Sequence, residues 1–294
     1  MGAQTHPTPT RVAARPLPIR RQAAFVAANS LLVLFATLAL YPLFMMVLNS
    51  FKSDSEILSN PSGLPVEWTL ASYRAIFQYH GGLWLNFVNS VIVSSTSTIC
   101  ATFLAAMAAF AFAKYQFRGR DLIFTLLLAT MMVPGEITVP PLYILFAKLH
   151  WLNTYQGLIV PTVTSVFGLF MMRQYMYSIP TALLEAARID GASHWQLFWR
   201  IMLPTSAPVL GAFAILHFMG VWNSYLWPLV VTTEQRIQPI MVVLPNLTDP
   251  VIGFMPVWST IMAGCVLATL PVVLVFVAFQ DRFMSGVVVG AVKG

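Results

Sequence analysis

Four charged side chains stand close together in a chain that otherwise carries few. Glu185, Arg188, Asp190 and Arg200 fall within residues 185–204 (EAARIDGASHWQLFWRIMLP), between two long apolar segments. Carboxylate and guanidinium groups bind complementary charges on another surface. We therefore expect a polar segment that leaves the membrane and docks against another protein. The alternative is an amphipathic loop that only anchors the membrane edge.

A second group of polar and aromatic residues lies inside apolar segments, where polar side chains are costly and usually face the interior of a helix bundle. Aromatic faces beside amide groups suit sugars, because the CH faces stack and the hydroxyls form hydrogen bonds. Two alternatives stay open: tryptophan and tyrosine also form interfacial belts, and the carboxylate of the group also fits an outer interface. The candidate solute-pathway residues are Asn86, Asn89, Glu136, Trp222, Asn223 and Tyr225.

The elements that position both groups are membrane helices. The chain is 58% hydrophobic and 9% charged, whereas a soluble domain carries about 25% charged residues. Its long uncharged runs are continuously apolar and do not alternate, which excludes barrel strands. Since a spanning helix needs about 20 apolar residues, the sequence predicts an all-α integral membrane protein with six spans. They lie at about 23–49, 85–113, 121–145, 155–177, 205–229 and 257–280.

The distribution of lysine and arginine predicts the orientation of these spans. With both termini inside, 12 of the 16 basic residues lie on the cytoplasmic side and 4 outside, so the segment around Glu185 is cytoplasmic. Residues 50–84 and 231–256 then form extracytoplasmic loops. Residues 1–22, with four arginines and four prolines, predict a disordered cytoplasmic tail, and 282–294 a cytoplasmic C-terminus. Basic residues occur only at membrane edges, so we expect no nucleic-acid partner.

Local signals divide residues 178–204 into two short helices that lie along the membrane surface. Pro180 fits the first turn of a helix over 181–190, and Gly191 fits a turn that requires positive φ. Ser193 and Gln196 have the spacing of a capping box for a second helix over 194–202. Pro204 ends that helix or bends it into the fifth span. The apolar stripe of the second helix comprises Trp195, Phe198, Trp199 and Met202.

The third span contains a break. Pro134, Gly135 and Glu136 occur in succession well inside it. Proline removes a helical hydrogen bond and kinks the chain, and such irregular backbone is tolerated at membrane depth only against protein or a cavity. A broken helix therefore favours a position beside a transport pathway.

Catalytic and nucleotide-binding motifs are absent from the sequence. The chain has no GxxxxGK[ST] phosphate cradle, so we expect ATP and Mg²⁺ to bind a separate subunit. It also lacks HExxH and GxSxG. Its five histidines are dispersed and its two cysteines form no CxxC pair, so we expect neither enzymatic activity, nor a metal site, nor a cofactor bound by this chain.

The charged segment resembles the EAA loop of ABC importer permeases. The signature positions that match are Glu185, Ala186, Ala187, Gly191, Ile201, Leu203 and Pro204. Further stretches resemble the carbohydrate-type, MalG-like class of permease subunits, so that the resemblance covers about residues 30–294. These stretches are LWLNFVNS at 83–90, MMVPGEITVPPLY at 131–143, VWNSYLWP at 221–228 and GAVKG at 290–294.

The resemblance implies the type I ABC importer permease fold, with a core over 85–281 in the bacterial plasma membrane. It implies that the signature residues, with Asp190, couple the chain to an ATPase. The implied partners are a second homologous permease, a dimer of ATPase subunits and an extracytoplasmic solute-binding protein, and the implied solute is a sugar. A glycerol-phosphate-type solute is the alternative. An ion-coupled secondary transporter is a further one, for which Glu136 is the candidate carboxylate.

Overall fold

The computed structural model describes residues 19–78, 83–247 and 257–291, and the side chains of 25–78, 83–247 and 257–278. All regular elements in these ranges are helical. The first eight are α1 (Ile19–Asn49), α2 (Asp54–Ser59), α3 (Ala71–Gln78), α4 (Trp84–Lys114), α5 (Arg120–Thr130), α6 (Val139–Lys148), α7 (Tyr155–Ile159) and α8 (Val166–Ser178). The others are α9 (Thr181–Ile189), α10 (His194–Gln196), α11 (Leu203–Thr205), α12 (Ala207–Trp222), α13 (Leu226–Val231), α14 (Ile240–Val243) and α15 (Trp258–Ala291).

Helix α4 forms the centre of the bundle and packs most extensively against α8 and α12. Ala101, Ala105, Ala109 and Ala113 recur every fourth residue and are all buried. Residues four apart share one face of a helix, and small side chains there let neighbouring backbones approach closely. Methionine and phenylalanine side chains of α8 and α12 fill the space beside this alanine face. The small-residue face explains why α4 is more buried than α1 and α15, the other two continuous spans.

Six spans are present when each of three bent helix pairs counts as one. Helices α1, α4 and α15 each carry an apolar stretch long enough to cross a membrane. The bent pairs are α5 with 135–148, 155–162 with α8, and 194–205 with α12, and their halves meet at 92°, 41° and 75°. The break predicted at Pro134 is therefore confirmed. The bend between 194–205 and α12 agrees with the interpretation in which Pro204 bends the second coupling helix into span five, whereas the bend in span four was not predicted.

The bends in spans four and five occur where prolines interrupt the helix. In span four, Pro161 precedes the bend, and the Ser165 side chain accepts a hydrogen bond from Gly168 N to begin α8. In span five, Ser206 occupies the N-cap position of α12 without a side-chain capping bond, and Pro208 stands in the first turn. Such signals are common at helix ends but weak inside an apolar run.

Several predicted boundaries also differ from the structure. The first helix begins at Ile19 and not at 23, so part of the predicted tail is helical; residues 1–18 lie outside the described residues. Span five ends at Trp222, and α13 follows after a short break. The last helix continues to Ala291 through most of the predicted C-terminal segment 282–294.

Candidate coupling site and solute pathway

The coupling segment, residues 178–204, begins with helix α9 and ends it at a glycine turn. Gly191 has φ +84°. Its N–H bonds to the carbonyl of Arg188, and the N–H of Ala192 bonds to the carbonyl of Ala187 at 2.9 Å. This pair of bonds is the Schellman motif, which needs a residue in the left-handed region and favours glycine. The predicted turn at Gly191 is confirmed, whereas Pro180 stands at the N-cap and not inside the first turn.

The second half of the coupling segment begins with the predicted capping box. Ser193 N donates to Gln196 Oε1 at 2.7 Å, and Gln196 N donates back to Ser193 Oγ at 3.3 Å. The chain then enters a π-helical stretch over Leu197–Met202. A π turn places residues five apart above one another. Leu197, Phe198 and Met202 are buried, while Trp195 and Trp199 of the predicted apolar stripe are exposed.

This second half of the coupling segment packs along the length of α4 and does not lie across the end of that helix. The His194 ring contacts Tyr115, the ring of Phe198 contacts Phe110, and that of Trp199 stacks on Phe103 at 5.6 Å. Residues 103 and 115 of a helix are ~18 Å apart along its axis. Only α9 therefore has the peripheral position predicted for both helices. Leu197, Phe198 and Met202 are buried against the bundle.

Helix α9 has one face in the core and one face outside. Leu184 is buried together with Leu197, Phe198 and Met202 in the main core cluster. The exposed predicted coupling residues are Glu185, Ala186, Asp190, Gly191 and Pro204, and the half-buried ones are Ala187, Ile201 and Leu203. Ile189, which the sequence analysis missed, is 87% exposed beside Asp190. The first residues of the EAA pattern thus lie on the exposed face of a helix whose opposite face is buried in the bundle core.

Two further residues that the sequence analysis missed tie the coupling segment to α4. Lys114 Nζ donates to the carbonyl of Ile179, just before α9. Tyr115 Oη lies 2.7 Å from His194 Nδ1, and the Arg188 guanidinium lies over the Tyr115 ring at 5.7 Å from its centroid. A lysine and a tyrosine at the end of a span are ordinary interfacial residues. Their contacts with the coupling segment arise from the packing of the helices, and no local sequence pattern indicates them.

Asn86 and Asn89 lie at the opposite end of α4 and bind protein backbone. Asn86 Nδ2 donates to the carbonyls of Gln235 and Gln238, at 2.7 and 2.8 Å. Asn89 Nδ2 donates to the carbonyls of Arg236 and Gln238, and its Oδ1 accepts from Tyr155 Oη at 2.7 Å. Both side chains are buried. The structure therefore uses their amide groups to hold residues 235–238 on the bundle.

The aromatic candidates divide into a buried and an exposed set. Trp222 is 1% exposed, donates from Nε1 to the carbonyl of Ala268, and packs against Phe218 and Phe87. Asn223 caps α12 and is exposed, and Tyr225 is 40% exposed in the break before α13. Glu136 is exposed in the break of span three. Glu136, Asn223 and Tyr225 are therefore exposed, whereas Trp222 is enclosed.

The chemistry available at these sites is binding and positioning. Among the described residues, no group of three histidine, cysteine, aspartate or glutamate side chains is arranged to hold a metal ion. The charged residues of α9 lie at the surface, and the exposed pathway candidates lie at helix breaks. Six spans, three of them broken, are typical of a membrane transport protein.

The chain belongs to the family of binding-protein-dependent transport system inner membrane components, whose model matches residues 101–289. Members of this family are multi-pass membrane permeases and are not catalytic. The resemblance found in the sequence is therefore confirmed.

Relatives and a solved structure agree with this assignment along most of the chain. The arabinooligosaccharides transport system permease protein of Halalkalibacterium halodurans is 36% identical over 262 residues, which are 88% of this chain and 93% of that protein. The sn-glycerol-3-phosphate transport system permease protein of Salmonella typhi is 30% identical over 274 residues, 91% and 97% of the two chains. A subunit of a bacterial ABC transporter that imports the acidic polysaccharide alginate superposes with a TM-score of 0.79. It is 23% identical, with 91% of this chain and 99% of that chain covered, and supports the type I permease fold.

Proposed function

We propose that this chain is the permease subunit of an ABC importer that moves a sugar or sugar-like solute inward across the bacterial plasma membrane. The observation that carries the proposal is the construction of α9. Its exposed face carries Glu185, Ala186 and Asp190, while Leu184 on the opposite face is buried in the bundle core. A helix held in this way transmits an applied movement to the bundle because close-packed interiors deform little.

The proposed partners are inferred from the family and from the missing GxxxxGK[ST] motif in this sequence. The family name itself specifies a binding protein, and the superposed structure is a subunit of an ABC transporter. We propose a second homologous permease, a dimer of ATPase subunits that bind ATP and Mg²⁺, and an extracytoplasmic solute-binding protein. In the orientation given by 12 basic residues against 4, both termini and α9 face the cytoplasm. We propose that closure of the ATPase dimer moves the coupling segment and reorients the bundle.

The solute is proposed from the pathway and the relatives together. Relatives carry arabinooligosaccharides in one case and sn-glycerol 3-phosphate in another. A phosphorylated solute favours arginine or lysine partners. The predicted spans carry basic residues only close to their ends, and the accessible candidates are Glu136, Asn223 and Tyr225. This composition favours a neutral sugar over a glycerol phosphate.

The coupling role is tested by reversing one charge on α9. Glu185→Lys is expected to abolish ATP-driven uptake in proteoliposomes and to weaken copurification of the ATPase, with the protein still inserted in the membrane. Glu67→Lys is the matched control because Glu67 is exposed at the opposite end of the bundle. Normal uptake by Glu185→Lys would contradict the proposal. A thermal-shift screen of the cognate binding protein against sugars and glycerol phosphates then identifies the solute class.

A further inference from the structure

One end of α4 holds the coupling segment at both of its halves. Lys114 contacts the carbonyl of Ile179 at the entrance of α9, and Tyr115 contacts His194 at the start of the second half. Arg188 of α9 lies over the Tyr115 ring. Phe110, one turn back along α4, packs edge-on against Tyr115. A displacement of the coupling segment therefore displaces the end of α4 through these direct contacts.

The other end of α4 holds a segment on the opposite side of the bundle. Asn86 and Asn89 donate to carbonyls of residues 235–238, and Ser90 Oγ accepts from Ile240 N at 2.8 Å. These contacts join residues about 150 positions apart in the sequence. Residues 232–240 have little regular structure of their own before α14, so their position depends on these hydrogen bonds.

Between these two ends α4 is continuous. It has 31 residues without proline or glycine, which gives a length of ~46 Å. The other long helices, α1 and α15, contain Pro42 and Pro271, and the remaining described spans are bent. A continuous helix with both ends bonded transfers a displacement along its axis, whereas a bent pair absorbs it at the break.

We propose that α4 carries the movement of the coupling segment to residues 235–240, and that Tyr115 and His194 are the positioning residues that engage it. This inference rests on the proposed importer function and identifies the route inside this chain. Because coupling between two sites is reciprocal, contact of a partner at residues 235–240 also changes the affinity of the coupling segment for the ATPase. The Tyr115–His194 bond is solvent-exposed, so it contributes little to folding and its loss acts on coupling.

The test uses the complete complex in proteoliposomes, with Cys100→Ala and Cys265→Ala as background and Glu234→Cys as reporter. Glu234 is exposed next to residues 235–238. The rate of maleimide labelling is measured with and without ATP and vanadate, beside basal ATPase activity and melting temperature. The variants are Tyr115→Phe and His194→Phe, singly and together. Tyr175→Phe is the control because Tyr175 is half-buried in the same cluster and its hydroxyl has no hydrogen bond among the described residues.

We expect the nucleotide-dependent change in labelling to fall at least about five-fold in either variant, the lower end of typical coupling effects. In the double variant, the nucleotide-dependent change in labelling is expected to fall no further than in the single variants. Tyr175→Phe is expected to show the same change in labelling as the parent. Melting temperature is expected to stay at the parental value in all variants. Basal ATPase activity is expected to stay at the parental value in Tyr115→Phe, which lies outside the coupling segment. This combination separates positioning from folding, because a structural defect lowers all three measurements together.

Three results would overturn the inference. The first is a parent that takes up solute but shows no nucleotide-dependent labelling at position 234. The second is a Tyr115→Phe variant with the full parental change in labelling, and the third is a joint fall in labelling change, basal ATPase activity and melting temperature. In each of these cases, ATP-driven uptake by the parent protein still supports the importer function. A parent without ATP-driven uptake contradicts the importer function itself.

Discussion

The indole Nε1 of Trp222 donates a 3.1 Å hydrogen bond to the carbonyl of Ala268, and this contact joins spans five and six. The donor and acceptor are both buried in a cluster that also contains Leu83 and Leu244. A tryptophan that looks like a solute contact in the sequence thus has its polar group satisfied within the protein.

Trp222→Phe is expected to destabilise the protein. The substitution leaves the carbonyl of Ala268 without this donor and leaves space where the larger ring was, which costs ~1–3 kcal/mol. The melting temperature of the detergent-purified protein measures the effect. Trp199→Phe is the control, since Trp199 is exposed and a phenylalanine ring can still stack on Phe103. Equal losses in the two variants would contradict the structural role of the Trp222 hydrogen bond.

Substitutions at Gly191 are expected to follow the cost of the left-handed backbone. A Cβ added there meets no atom within 4 Å, so the cost comes from φ +84° alone. Gly191→Ala loses ~1–2 kcal/mol, and Gly191→Asn loses less because asparagine tolerates this region better. Copurification with the ATPase is expected to decrease from Gly to Asn to Ala. Gly135→Ala serves as control, as it also adds a methyl group to open space but at an ordinary φ; an equally strong effect there would refute the backbone explanation.

Gly168→Ala is expected to disturb the packing of α8 on α12. A Cβ at position 168 would lie 2.5 Å from Cζ of Phe213, well inside contact distance. Overpacking of this kind costs ~1–3 kcal/mol, visible as a lower melting temperature. The second change Phe213→Leu makes room and should recover part of the loss. Gly220→Ala, which adds a methyl group where nothing lies within 4 Å, is expected to be neutral or stabilising.

Asn153 is expected to control the order of residues 233–234. Its Oδ1 accepts from the amides of Thr233 and Glu234, at 2.6 and 3.0 Å, and its φ is +55°. Asn153→Gly keeps access to this φ but loses the acceptor, and Asn153→Ala loses both. Hydrogen exchange at the two amides should accelerate about five-fold or more, by the ~1 kcal/mol net value of one hydrogen bond. The alanine variant should exchange faster than the glycine variant; an unchanged rate in both would exclude this role for Asn153.

Some features of the coupling segment were predictable because their causes lie within a few residues. The Gly191 turn needs only the missing side chain of one residue, and the capping box needs only Ser193 and Gln196. The kink at Pro134 follows from the missing proline N–H. The π-helical stretch at 197–202 was not predictable, because a wider turn is stabilised by the burial of Leu197 and Met202 in the bundle core.

The amino-acid pattern was enough to predict the membrane class and the number of spans, and it indicated the segment that we propose docks the ATPase. These depend on average hydropathy and on short charge and turn patterns, which act locally. Three contacts follow from the folded bundle alone: Asn86 and Asn89 bind residues 235–238, Trp222 is enclosed, and Tyr115 contacts His194. Each of these contacts joins residues at least 46 positions apart. Which residues meet in these contacts depends on how the alanine face of α4 packs against its bent neighbouring helices. This packing is a property of the whole bundle and cannot be read from a short stretch of sequence.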